Sequence, residues 1–116
     1  MKKIMLTGNP LSTNHLYKRR SSYGMYLVAE GVTLKESYQY EAKSQWQEKP
    51  LKGKLKIKVC LFFGDKRKRD IDNYNKLSMD ALNGIVWEDD QQIYQMLIKK
   101  EYDKDNPRIE IQVEEI

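Results

Sequence analysis

Between Lys66 and Lys76 the chain reads Lys-Arg-Lys-Arg-Asp-Ile-Asp-Asn-Tyr-Asn-Lys, so that Asp70 and Asp72 follow a cationic run and precede a further lysine. A second acidic pair, Asp89-Asp90, lies in Trp87-Glu-Asp-Asp-Gln-Gln92. One aspartate at a helix entrance is explained by the orphan N–H groups it can accept from, but a helix cap does not need two. Aspartates are also frequent in turns, so each pair alone says little. Jointly they suggest a divalent-metal site, because Mg2+ is a hard ion that takes one or two carboxylates plus water and phosphate oxygens. A single His and a single Cys give no cluster for zinc. A calcium-binding EF-hand counted from Asp70 fails: the fifth residue is Tyr74, the sixth is Asn75 in place of glycine, and the twelfth is Ala81 in place of glutamate. Bound Mg2+ beside Lys and Arg is suited to holding and cleaving a phosphodiester. The competing reading is a solvated, ion-paired helix face, since Asp72, Lys76 and Asp80 are spaced i, i+4, i+8.

These residues need elements to position them. Residues 2–7 read as a strand closed by Gly8-Asn9-Pro10, followed by a loop over 11–17 and the cations Lys18-Arg-Arg20. Met25–Ala29 reads as another strand that turns at Glu30-Gly31. Thr33-Leu-Lys-Glu36 then forms a capping box opening a helix, whose buried face carries Tyr38, Ala42 and Trp46 and which ends at Lys49-Pro50. From Leu55 to Phe63 the odd positions are apolar and Lys54, Lys56 and Lys58 alternate with them, predicting a central strand with one basic face. A short amphipathic helix is expected from about Asp72 to Asn83, stopped by Gly84. Residues 93–102 and 108–114 read as a closing hairpin. Twelve helical residues would carry the chain ~18 Å from Asp72, and 84–88 fully extended returns at most ~16–18 Å. Asp90 therefore rejoins the first pair if 84–88 doubles back along the helix, or if another subunit supplies it.

The 116 residues, 33% charged and 40% hydrophobic with the apolar residues in spaced clusters, predict one folded domain. A net charge of +4 suits a polyanionic partner. Cys60, alone in Val59-Cys-Leu-Phe-Phe63, excludes an intrachain disulfide and is expected in the core. The N-terminal apolar stretch is too short for a signal peptide and no segment reaches membrane-spanning length, which fits a cytoplasmic protein. His15 has no carboxylate near it in sequence, which disfavours a general-base role. Trp46, Trp87, Tyr17 and Tyr23 are aromatic groups able to stack on bases, although the two tryptophans fit the core better.

The blocks Arg69–Lys76, Asp80-Ala-Leu82, Gly84 and Trp87–Gln91, with the opening Pro10-Leu-Ser-Thr-Asn-His-Leu-Tyr17, resemble the RusA family of Holliday-junction endonucleases over nearly the whole chain. The resemblance implies an α+β fold over residues 1–116, a small single domain with a mixed sheet and two main helices. It implies a homodimer, dependent on Mg2+ or Mn2+, that nicks four-way DNA junctions symmetrically in recombination and repair. By motif match Asp70, Asp72 and Asp90 become catalytic metal-binding carboxylates, with Asp89 a supporting metal-site acid and Lys76 an essential cation near the phosphate. Lys18, Arg19, Arg20, Lys66, Arg67, Lys68 and Arg69 are expected to grip DNA backbone, with Asn14 and Asn73 beside them. Such contacts carry no sequence information and weaken with salt. Two-fold symmetry supports the dimer on physical grounds, since a four-way junction needs two related cuts. The rival readings are a non-catalytic DNA-binding or phage accessory protein and a nuclease for flaps or other branched DNA.

Overall fold

The computed structural model describes residues 2–20 and 24–116; Tyr23 lies outside them. Strand β1 (Lys2–Thr7) leads through Gly8, whose φ of 99° favours glycine, into a one-turn helix α1 (Thr13–Leu16) capped by Ser12. A small hairpin, β2 (Tyr17–Arg19) with β3 (Met25–Leu27), follows and feeds helix α2 (Ala29–Gln45). Strand β4 (Leu55–Phe63), a 3-10 turn at Ile71–Asn73, helix α3 (Lys76–Leu82), a second 3-10 turn at Asp90–Gln92, β5 (Ile93–Tyr102) and β6 (Arg108–Glu115) complete the order.

The main sheet runs β1-β6-β4-β5, with β4 and β5 parallel and the other pairs antiparallel, so the fold is α+β with a mixed sheet. A parallel pair needs a crossover connection, and the segment containing α3 provides it. Alternation sorts the faces: Leu55, Ile57, Val59, Leu61 and Phe63 of β4 join Ile109, Ile111 and Val113 of β6 in the core, while Lys56 and Lys58 face solvent. Tyr38 and Ala42 of α2, with Trp46 just past its end, bury the helical side of the same core.

Several expectations are corrected. Residues 93–102 and 108–115 form strands but no hairpin, because β4 lies between them; the apolar β4 takes a partner on each side, and Asp103 N–H donates to Phe63 O as the chain passes the end of β4 (2.8 Å). Helix α2 starts at Ala29, so Glu30-Gly31 is helix and the Thr33 hydroxyl donates back to Ala29 O (3.3 Å) in place of capping. Gly31 is a packing glycine: a Cβ there would meet Leu27 Cδ1 at 2.7 Å and Leu16 O at 3.3 Å. The helix also ends at Gln45, ahead of Lys49-Pro50. Cys60 falls on the even, outer face of β4 and is half-buried. Helix α3 is seven residues long, because Tyr74 packs edge-on against Phe63 (5.1 Å) and the chain before it forms a 3-10 turn.

Candidate active site

The route back from α3 to the acidic pair is set by Trp87, which is 0% exposed. Its indole Nε1–H donates to Asn83 Oδ1 (2.7 Å), Gly84 N–H donates to Trp87 O (2.6 Å), and Gly84 takes a φ of 80° to close the turn. Leu51 N–H donates to Val86 O and Glu88 N–H to Leu51 O, and Gln92 Nε2 donates to both Leu51 O and Gly53 O. Residues 84–88 therefore double back on α3. Asp89 caps the turn, its Oδ1 accepting from Gln91 N–H (2.9 Å) while its own N–H donates to Gln92 Oε1 (2.9 Å). The next side chain, Asp90, lines a cavity of about 380 Å³ with Asn75, Lys76, Met79, Asp80 and Met96.

Inside that cavity charge is crowded. Lys76 Nζ lies 3.3 Å from Asp80 Oδ2, and the Tyr17 hydroxyl donates to the same oxygen at 2.5 Å. Burial and the Asp80 carboxylate push the Tyr17 pKa up, which keeps its hydroxyl protonated as donor. Burial, followed by Asp89 and Asp80, raises the Asp90 pKa, against which Lys76 pulls it down.

Asp70 and Asp72 are exposed and do not line this cavity. Among the described residues no three or more His, Cys, Asp or Glu side chains stand close enough to hold a metal together. Asp70 precedes the 3-10 turn without a side-chain capping bond, and Asn73, half-buried, donates its N–H to Asp70 O (3.2 Å). Their loop is held at its base. The Arg69 guanidinium stacks over Phe63 (4.2 Å), its Nη2 meets Asp65 Oδ1 at 2.9 Å, and Lys100 Nζ donates to Arg69 O (2.7 Å). Arg69, 11% exposed, is thus built into the loop, whereas Lys66, Arg67 and Lys68 are exposed beside it. Backbone and side-chain hydrogen bonds from Arg67 and Arg69 hold the Asp65 carboxyl down at about 2.

Lys18, Arg19 and Arg20 lie exposed on the β2–β3 hairpin, with Lys18 Nζ donating to Asn14 O (3.1 Å) and Asn14 also exposed. His15, by contrast, has a carboxylate partner from another helix: its Nε2 is 2.6 Å from Glu30 Oε1. Trp46 and Trp87 are both core. Sequence reading assigned no site role to Asp65, Asp80 or Lys100, and offered Tyr17 only as a group to stack on bases. The i, i+4 spacing of Asp65 to Arg69 and of Lys76 to Asp80 carries a signal for the two acids.

The crossover segment of the mixed sheet thus presents a half-buried aspartate with a lysine facing it, and separately an exposed basic loop. The family described as endodeoxyribonuclease RusA matches residues 7–114, and the chain belongs to that family, whose members hydrolyse phosphodiester bonds. The crossover junction endodeoxyribonuclease RusA of Enterobacteria phage 82 is 28% identical over 105 residues, covering 90% of this chain and 88% of the relative. Its namesake in Escherichia coli K12 is 27% identical with the same coverage. YqaN of Bacillus subtilis is 39% identical over 49 residues, which are 42% of this chain and 34% of that relative, so the match spans about a third of YqaN. Among the described residues no helix is long and apolar enough to cross a membrane.

Proposed function

We propose that this protein is a divalent-metal-dependent endonuclease that resolves four-way DNA junctions by paired nicks, acting as a homodimer in recombination and repair. The carrying observation is the crowding at Asp90: a half-buried carboxylate beside Asp80 and Asp89, with Lys76 facing it, is short of positive charge. Its donors are hard oxygens, which fit Mg2+ or Mn2+. Asp70, Asp72 and Asp90 are the proposed ligands, with Asp89 in support because its carboxylate already caps the following turn. As the three do not stand together in one chain, the loop carrying the exposed Asp70 and Asp72 would have to close on the Asp90 cavity, or a second copy bring its pair there, for one ion to be held by all of them. The ion, when bound, supplies an activated water and neutralises charge on the scissile phosphate.

The chain's own residues do the rest. Lys76 offers its ammonium to the charge that builds on the phosphate as attack proceeds. Lys18, Arg19 and Arg20 on the hairpin, with Lys66, Arg67 and Lys68 on the loop, grip flanking backbone, and Asn14 and Asn73 add polar contacts; junction shape selects the substrate. Arg69 acts here through the loop it anchors.

Two related cuts need two sites related by a two-fold axis. The sheet has two unlike edges for such an assembly. At β1 the side chains of α2 cover the backbone: Met5 N–H donates to Gln45 Oε1 (2.7 Å), Gln45 Nε2 donates to Met5 O (2.8 Å), and Thr7 N–H donates to Glu41 Oε1 (3.2 Å). Strand β5 is the opposite edge, ten residues without proline, with Tyr94, Met96 and Leu97 exposed. A long edge strand with exposed apolar side chains at its N-terminal half is a template for pairing, and we assign it to the second copy.

The test offers a labelled four-way junction, a flap and a linear duplex to the purified protein with Mg2+ or EDTA. Symmetric metal-dependent nicks confined to the junction are expected, from a protein that sediments as a dimer. Asp70→Asn, Asp72→Asn and Asp90→Asn should each lose at least ~100-fold in nicking while still binding the junction. Normal nicking by these variants removes the catalytic assignment, and equal flap cleavage removes junction specificity.

A further inference from the structure

We infer that Tyr17 and Asp80 are positioning residues that hold the Lys76 ammonium against the Asp90 cavity that it lines, so that the N-terminal loop and hairpin set the reactivity of α3. The inference rests on the nuclease reading and adds to it two residues from outside the acidic motifs.

The geometry is a three-way contact built from two distant parts of the chain. Asp80 Oδ2 accepts from the Tyr17 hydroxyl at 2.5 Å and meets Lys76 Nζ at 3.3 Å, and Lys76 Nζ also lies 5.0 Å from the centroid of the Tyr17 ring. An exposed i, i+4 ion pair by itself contributes only about 0.3–0.5 kcal/mol, too little to fix one geometry of a side chain with four rotatable bonds. Tyr17 supplies what the pair lacks. Its hydroxyl fixes the orientation of the Asp80 carboxylate through a charge-assisted hydrogen bond, and the face of its ring attracts the ammonium. Tyr17 itself is fixed by its neighbours: Leu16 before it is buried, and Val28 N–H donates to Leu16 O (2.9 Å), tying the hairpin to the start of α2.

A lysine ordered before substrate arrives loses less rotamer freedom in the transition state than one that must be recruited, which raises the rate without strengthening ground-state binding. The opening block Pro10–Tyr17 thereby gains a role, since it delivers an aromatic hydroxyl to a carboxylate 63 residues away.

The test is a double-mutant cycle on single-turnover nicking at saturating protein. Tyr17→Phe keeps the ring and the net charge but removes the donor. It should slow nicking about tenfold, with junction Kd unchanged within about twofold, because one hydrogen bond to a charged group is lost. In a Lys76→Met background the same change should have no further effect, since the residue it positions is gone. A fold-loss equal in both backgrounds, or wild-type nicking by Tyr17→Phe, overturns the inference.

A readout independent of nicking is the 15N-detected ammonium signal of Lys76 in the free protein, expected to be distinct in wild type and to move to the position of solvated lysines in Tyr17→Phe. If no branched DNA is cut yet the signal still depends on Tyr17, the nuclease reading fails and the positioning stands. If wild type nicks and the signal ignores Tyr17, the positioning fails alone. Thermal unfolding of Tyr17→Phe close to wild type separates either result from a folding defect.

Discussion

The segment 83–92 and the loop 65–75 each carry an aspartate pair, and they hold it by opposite means. The first is anchored by burial: Trp87 is wholly enclosed, bonded to Asn83, and tied through residues 86 and 88 to Leu51, so Asp90 is fixed in place and partly stripped of water. The second is anchored by charge at its base, where Arg69 stacks on Phe63 and pairs with Asp65, while Asp70 and Asp72 stay in solvent. A carboxylate left in water costs the fold nothing, and one drawn into a crowded cavity does cost it. Rigidity and its energetic cost are therefore concentrated on the Asp90 side, and the loop side is left free to adjust to a bound strand.

The largest effect on that contrast comes from removing the apolar anchor. Trp87→Ala deletes a fully enclosed indole, should cost about 3–5 kcal/mol in denaturant unfolding, and should release Asp90 from its cavity so that nicking falls with stability. A loss under about 1 kcal/mol would mean that Asn83, Leu51 and Gln92 hold the segment without it.

How much of this was legible in the sequence follows the range of each interaction. The alternation of Leu55–Phe63 and of Ile109, Ile111 and Val113, and the Tyr38, Ala42, Trp46 stripe, all report a local period, and all three lie in the core. The insertion of β4 between β5 and β6 is a choice among partners, which no strand states in its own residues. Gly31 looked like a turn because its missing Cβ serves a contact with Leu16 and Leu27 that only the fold creates. At the site, spacing and the family resemblance nominated Asp70, Asp72, Lys76 and Asp90, and the Lys76–Asp80 pair was visible at i, i+4. The third member of that contact, Tyr17, comes from another element altogether, so it read as a base-stacking candidate.

A smaller effect belongs to the charged anchor. Arg69→Ala takes away the cation over Phe63 and the buried partner of Asp65, at a cost of about 1–3 kcal/mol. Because residues 83–92 share none of these bonds, hydrogen exchange should accelerate at residues 70–73 and stay unchanged at 86–92. Equal acceleration in both segments would show that they form one cooperative unit, and the contrast between them would be lost.

The smallest effect has the opposite sign. Burial first, then Asp89 and Asp80, raise the Asp90 pKa, so above that raised value the folded state carries an ionised group that it disfavours relative to the unfolded chain. Asp90→Asn removes that charge and should stabilise the protein at neutral pH. Asp90 keeps much of its solvent contact, so screening limits the gain to on the order of a few tenths of a kcal/mol. The sign fixes the pH window: the advantage of asparagine is fully present above the raised Asp90 pKa and is lost as pH falls through it to below the ordinary carboxylate range, where Asp90 is protonated in both states. Unfolding curves for wild type and Asp90→Asn between about pH 4 and 8 therefore measure what the cavity costs, and a variant no more stable than wild type at neutral pH would mean that Asp90 is as well solvated in the folded chain as in the unfolded one.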